Sequence, residues 1–91
     1  MSRIDTAFAT CKAKKRAAFI PFIMGGHPTR AACASLLDTL ADSGADIIEL
    51  GIPFSDPMAD GPVIEAAGKA ALAQGMTLRA VLELVRDFRT R

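Results

Sequence analysis

The chain has 91 residues, of which 51% are apolar and 23% charged, a balance that folds rather than one that stays disordered. A formal net charge of +1 excludes a polybasic nucleic-acid binder and gives no reason to invoke an anionic membrane surface. Alanine supplies 17 positions and Phe five, while Trp and Tyr are absent, so the core open to one small domain is aliphatic and built from small residues.

No apolar run approaches the ~18 residues that span a bilayer. The start, Met-Ser-Arg-Ile-Asp-Thr, has no hydrophobic signal core. Cys11 and Cys33 have neither metal-ligand spacing nor a CxxC arrangement. The expectation is two small, partly buried hydrophobes in a reducing cytoplasm.

In chain order, Ser2 and Asp5 make a capping-box pair, and Ile4, Ala7, Phe8 and Cys11 follow as one helical apolar stripe. Lys12, Lys14, Lys15 and Arg16 close that helix with the charge its C-terminus favours. Ala18 to Met24 is a continuous apolar run, which predicts a strand buried on both faces as in a parallel sheet. Pro21 cannot donate to a ladder and suits a place where one neighbour is missing or offset. Gly25-Gly26-His27-Pro28 is a turn, and Thr29 caps a helix whose stripe is Cys33, Leu36, Leu37 and Leu40, ended by Gly44.

Asp46 to Leu50 predicts a second strand. Gly51 to Pro62 is a loop, stiffened by Pro53, Pro57 and Pro62. Val63 to Gln74 reads as an alanine-rich helix. Gly75 breaks it, and Thr77 caps a last helix with Leu78, Val81, Leu82 and Val85 on one stripe. The order is helix, strand, helix, strand, helix, helix. A crossover this short makes the strands parallel and the unit right-handed, hence α/β. A (β/α)8 barrel takes about 250 residues, so the expected piece is residues 1–91 of one barrel domain: a helix and the first two βα units.

Between Ala31 and Gly68 stand seven acids and no Lys or Arg. Asp38 and Asp42 are a solvated helix face, and Asp46 is expected at the exposed start of its strand. Glu49 lies near the C-terminal end of an otherwise apolar strand. There a half-buried carboxylate either serves as general acid and base or pairs with a cation from elsewhere in the fold. Catalytic groups of barrels gather at that end of the strands. Asp56 and Asp60 sit in the stiff loop. A divalent-metal reading of Glu49, Asp56 and Asp60 lacks both a DxDxDG pattern and a supporting His, so no metal is expected. His27 is read as a loop residue with local hydrogen bonds, and Gly25-Gly26 makes no phosphate-binding motif.

Glu49 to Pro62, Glu-Leu-Gly-Ile-Pro-Phe-Ser-Asp-Pro-Met-Ala-Asp-Gly-Pro, closely resembles the signature of the tryptophan synthase alpha subunit family. The likeness extends through the Phe19–Met24 run, Gly44-Ala45-Asp46, and Ile64 to Leu72. It implies a (β/α)8 barrel that splits indole-3-glycerol phosphate into indole and glyceraldehyde 3-phosphate by a retro-aldol step. By that likeness Glu49 is the acid–base residue and Asp60 stabilises the indole N–H as positive charge develops on the ring. Phe22 belongs to the apolar wall around indole. Pro53, Phe54 and Asp56 lie on a loop that meets the beta subunit of an alpha2beta2 tetramer. Pyridoxal phosphate belongs to that partner, and no cofactor is expected in this chain.

In that family the substrate phosphate is held by backbone amides of later barrel loops. The sequence stops at Arg91, before a third strand, so it is expected to hold the acid–base end of the site without the phosphate anchor. Remote binding energy supports orientation at the reacting carbons. The chain alone is therefore not expected to be an effective enzyme. The alternative is a truncated, non-catalytic piece that retains the beta-subunit-binding loop.

Overall fold

A computed structural model describes residues 2–54 and 61–91. Six elements follow one another: α1 (Arg3–Ala13), β1 (Phe22–Met24), α2 (Arg30–Asp42), β2 (Glu49–Gly51), α3 (Pro62–Ala73) and α4 (Leu78–Thr90). The helix starts are where their side chains put them. Ser2 accepts from the Asp5 amide at 3.1 Å while the Asp5 carboxylate accepts from the Ser2 amide at 3.1 Å. Thr29 and Thr77 accept from Ala32 and Ala80, each at 3.1 Å. Each such cap fills one of the donors a helix start leaves open. Pro62 opens α3, where its missing N–H costs nothing.

β1 and β2 pair in parallel with Phe22 opposite Glu49, Ile23 opposite Leu50 and Met24 opposite Gly51. Both strands are shorter and begin later than the apolar runs from Ala18 and Asp46 predict. Contact does start earlier, since the Asp46 and Glu49 amides donate to the Phe19 and Pro21 carbonyls at 3.0 and 2.9 Å. Pro21 has no N–H to return, so a regular ladder cannot form before Phe22.

Burial also departs from the expectation. Met24 is buried at 8% exposure, whereas Phe22 is 42% exposed, because a sheet of two strands covers neither of its faces completely. The α1 stripe forms its helix but buries only Cys11; Ile4 and Phe8 face solvent. In α4 the inward face is Ala80, Val81 and Leu84, one step round from the predicted stripe, leaving Leu78 and Leu82 exposed.

The core sits where the helices meet the C-terminal end of β1. It joins Met24, Cys33, Ala71, Met76, Ala80, Val81 and Leu84. Small residues make it possible. A Cβ at Gly68 would lie 3.7 Å from the Met24 methyl, and Ala71 is wholly buried, so α3 lies close against the strand.

α2 and α4 run parallel, braced by Arg30–Glu83 at 3.3 Å and Arg91–Asp38 at 2.8 Å. Parallel helices are what two successive right-handed βα units place on the same side of a sheet. Among the described residues no helix is long and apolar enough to cross a membrane.

Leu84→Ala is expected to lower the unfolding free energy by about 2–5 kcal/mol, as buried leucine truncations do. Leu82→Ala on the exposed side of the same helix should cost under about 0.5 kcal/mol. Paired urea titrations measure both, and equal losses would contradict this assignment of the inward face.

Candidate active site

The site is built from the loop before each strand. Arg16, just past α1, reaches the Asp46 carboxylate with both guanidinium ends at 2.8 Å, and the Phe19 amide donates to the same group at 2.7 Å. Asp46 is thus not the exposed strand opener that its position predicts: its side chain is only 10% exposed. Sequence gave no sign of a partner thirty residues away. The Arg16 hydrogen bonds, with help from the Phe19 amide, hold the Asp46 carboxyl well below the usual carboxylate range. Asp46 in turn raises the Arg16 pKa further. Burial pushes the Cys11 thiol up, with its hydrogen bond to Asp46 adding to the effect. Cys11 and Cys33 are both free and buried, matching the reading of them as small hydrophobes.

Three residues beyond Asp46, Glu49 opens β2 opposite Phe22. Paired residues of a parallel ladder project to the same side, and alternation returns every second residue to it. Phe22, Met24, Glu49 and the bare Cα of Gly51 therefore share one side of the sheet. Glu49 is exposed rather than half-buried. No Lys or Arg among the described residues pairs with it.

The strand ends meet closely. The Gly25 amide donates to the Gly51 carbonyl at 2.9 Å, and a Cβ on Gly25 would lie 2.8 Å from that oxygen. Beyond Gly51, Pro53 is buried and Phe54 is 67% exposed. Asp56 and Asp60 lie outside the described residues, so neither the loop's second carboxylate nor the metal reading that needs both has a geometry here. Among the described residues no three potential ligands come together.

A cleft of about 550 Å³ wraps β1, with Phe22 and Ile23 from opposite sides of the strand and Leu36 and Ile64 from the flanking helices. His27 also lines it. Its amide donates to the Met24 carbonyl at 3.1 Å, but its buried Nδ1 has no hydrogen-bond partner, unlike the locally bonded side chain that was expected. Sequence reasoning missed this cleft, the Arg16–Asp46 pair and the close packing around Gly51.

Two parallel strands, each followed by a helix, are the unit from which (β/α)8 barrels are built. A family model described as "Tryptophan synthase alpha chain" matches residues 8–91. The chain is 57% identical over 89 residues to the tryptophan synthase alpha chain of Dechloromonas aromatica, covering 98% of this chain and 33% of that one. It is 55% identical over 91 residues to that of Burkholderia thailandensis, covering 34% of the relative. The crystal structure of tryptophan synthase subunit alpha from Legionella pneumophila superposes with a TM-score of 0.95 at 47% identity, over 99% of this chain and 34% of that chain. The chain belongs to the tryptophan synthase alpha chain family, and it spans about a third of the length of the curated relatives it matches.

Because folding lowers the Asp46 pKa below its unfolded value of about 3.9, the stabilisation is present at neutral pH and is lost as pH falls below that value. Asp46→Asn should therefore lower the urea midpoint most at neutral pH, and its curve should converge with that of the unaltered chain in acid. A gap that stays constant with pH would mean that the charge of Asp46 contributes nothing.

Proposed function

We propose that this chain carries the acid–base part of a carbon–carbon lyase site for indole-3-glycerol phosphate. The observation that carries the reading is the register of Phe22 opposite Glu49, which sets an aromatic wall beside a carboxylate on one side of the sheet. Membership of the family supports it.

In this reading Glu49 gives a proton to indole C3, and the ring becomes cationic at its nitrogen. The Asp60 carboxylate stabilises that N–H. Glu49, now ionised, takes the proton of the glycerol hydroxyl beside the ring. A carbonyl forms there, the carbon–carbon bond breaks, and its electron pair returns to the ring. Indole and glyceraldehyde 3-phosphate leave, and Glu49 is protonated again. The steps need proton transfer only, so we assign no cofactor to this chain; pyridoxal phosphate belongs to the proposed beta-subunit partner. Work of this kind belongs in the cytoplasm.

A second reading, a non-catalytic piece that binds the beta subunit, is favoured by the exposure of Phe54 beside the buried Pro53. The interface would then run from Pro53 through Asp56. In it, binding to the beta subunit survives Glu49→Gln, is lost with Phe54→Ala, and no indole is released.

The decisive experiment grafts residues 1–91 in place of the matching third of the Dechloromonas aromatica alpha chain. The graft is expected to release indole, and Glu49→Gln should lower its kcat by about 10²–10⁴-fold, the usual weight of general acid–base catalysis. Asp60→Asn should also slow it strongly. Turnover retained by Glu49→Gln would remove Glu49 from the chemistry. The ungrafted chain should release no indole.

A further inference from the structure

Gly51 is the last residue of β2 and pairs with Met24. A Cβ built on it would lie 2.6 Å from Cζ and 3.1 Å from Cε2 of the Phe22 ring, and 3.1 Å from the Met24 sulfur. Its backbone lies outside the left-handed region, so conformation alone does not demand a glycine. What demands it is the ring. Phe22 is level with Glu49 in the ladder, yet its far edge rests over Gly51, two residues further along the same side.

That lean has a consequence for the carboxylate. With Gly51 bare, the ring lies diagonally across β2 and leaves Glu49 uncovered and exposed. A side chain at position 51 would fill the ring's resting place and drive it off. We propose that Gly51 is a positioning residue: its missing side chain parks the Phe22 ring clear of Glu49 and so sets the gap into which a flat aromatic substrate fits. The inference rests on the reading of Phe22 as the aromatic wall.

The contrast with Gly25 shows why Gly51 can be tested without destroying the fold. A Cβ on Gly25 meets the Gly51 carbonyl, which is backbone and cannot yield. A Cβ on Gly51 meets the far end of a ring that is 42% exposed and the sulfur of the flexible Met24 side chain, both of which can shift without moving the backbone. Gly51→Ala is therefore expected to move a side chain and leave the ladder standing.

The test uses the 91-residue chain, its phenylalanine rings labelled, with proton contacts between the Phe22 ring and residues 49 and 51 read by NMR. Amide exchange of Phe22–Met24 and Glu49–Gly51 reports the ladder. In Gly51→Ala the ring contacts to residue 51 should fall and those to Glu49 should rise, with ladder protection kept. Indole is the probe for the gap: its affinity, read at Phe22 and Glu49, should drop about tenfold, the scale of one methyl group too many in an apolar site. Phe22→Leu added to Gly51→Ala removes the ring atoms that collide, so the double variant should bind indole no more weakly than Phe22→Leu alone.

Unchanged ring contacts in Gly51→Ala would overturn the inference. If Gly51→Ala instead loses ladder protection, the double variant decides: protection regained traces the loss to the ring, and protection not regained overturns the inference. Absence of any indole response in the unaltered chain would overturn the reading of Phe22 as the aromatic wall. The ring contacts would still decide whether Gly51 positions it.

Discussion

The Asp46 carboxylate is held on three sides: by two guanidinium nitrogens of Arg16 and by the Phe19 amide. Those contacts join the chain before β1 to the chain before β2, and from there the ladder can run in only one register. A slip of one residue would carry Glu49 to the opposite side of the sheet from Phe22. A bidentate guanidinium–carboxylate pair is also directional, which a single ammonium would not be. The candidate chemistry therefore depends on a polar contact several residues from the groups that would perform it.

Close packing does for the far end of the strands what that ion pair does for the near end. Gly25 brings its amide to the Gly51 carbonyl, and Gly26 takes a positive φ of 87° with Met76 packed against its Cα. Met76 and Val81 then connect this turn to α4, and α4 to α2 through the two arginine bridges. Exposed pairs of that kind contribute little energy. Their value here is geometric, since they keep two helices parallel over a core of mostly small side chains.

Local chemistry made much of the fold legible. Ser2, Thr29 and Thr77 marked three helix starts because a cap is a contact within four residues. The parallel pairing followed from the length of the crossover. Burial was the part that could not be read. Periodicity says which residues share a stripe, not whether a neighbour exists to cover it, so Ile4, Phe8, Leu78 and Leu82 lie on predicted stripes and face solvent. The candidate site divides in the same way. The fourteen residues from Glu49 to Pro62 pointed to the family, while Arg16, thirty residues from Asp46, and the ring lying over Gly51 are contacts that no spacing encodes.

Acid–base work near neutral pH asks for a carboxyl group in the right place and shielded from water. In the proposed reading Glu49 meets the first demand through the register of two strands. The second needs a cover over Glu49, which is exposed among the described residues. Apolar surface is likewise left exposed at Phe19 and Ile20, just before β1, and at Phe22 within it. Both facts have one physical origin. A parallel sheet is built to be covered on both faces, and the two described strands and four described helices hold the register while leaving the Phe22 ring and Glu49 exposed.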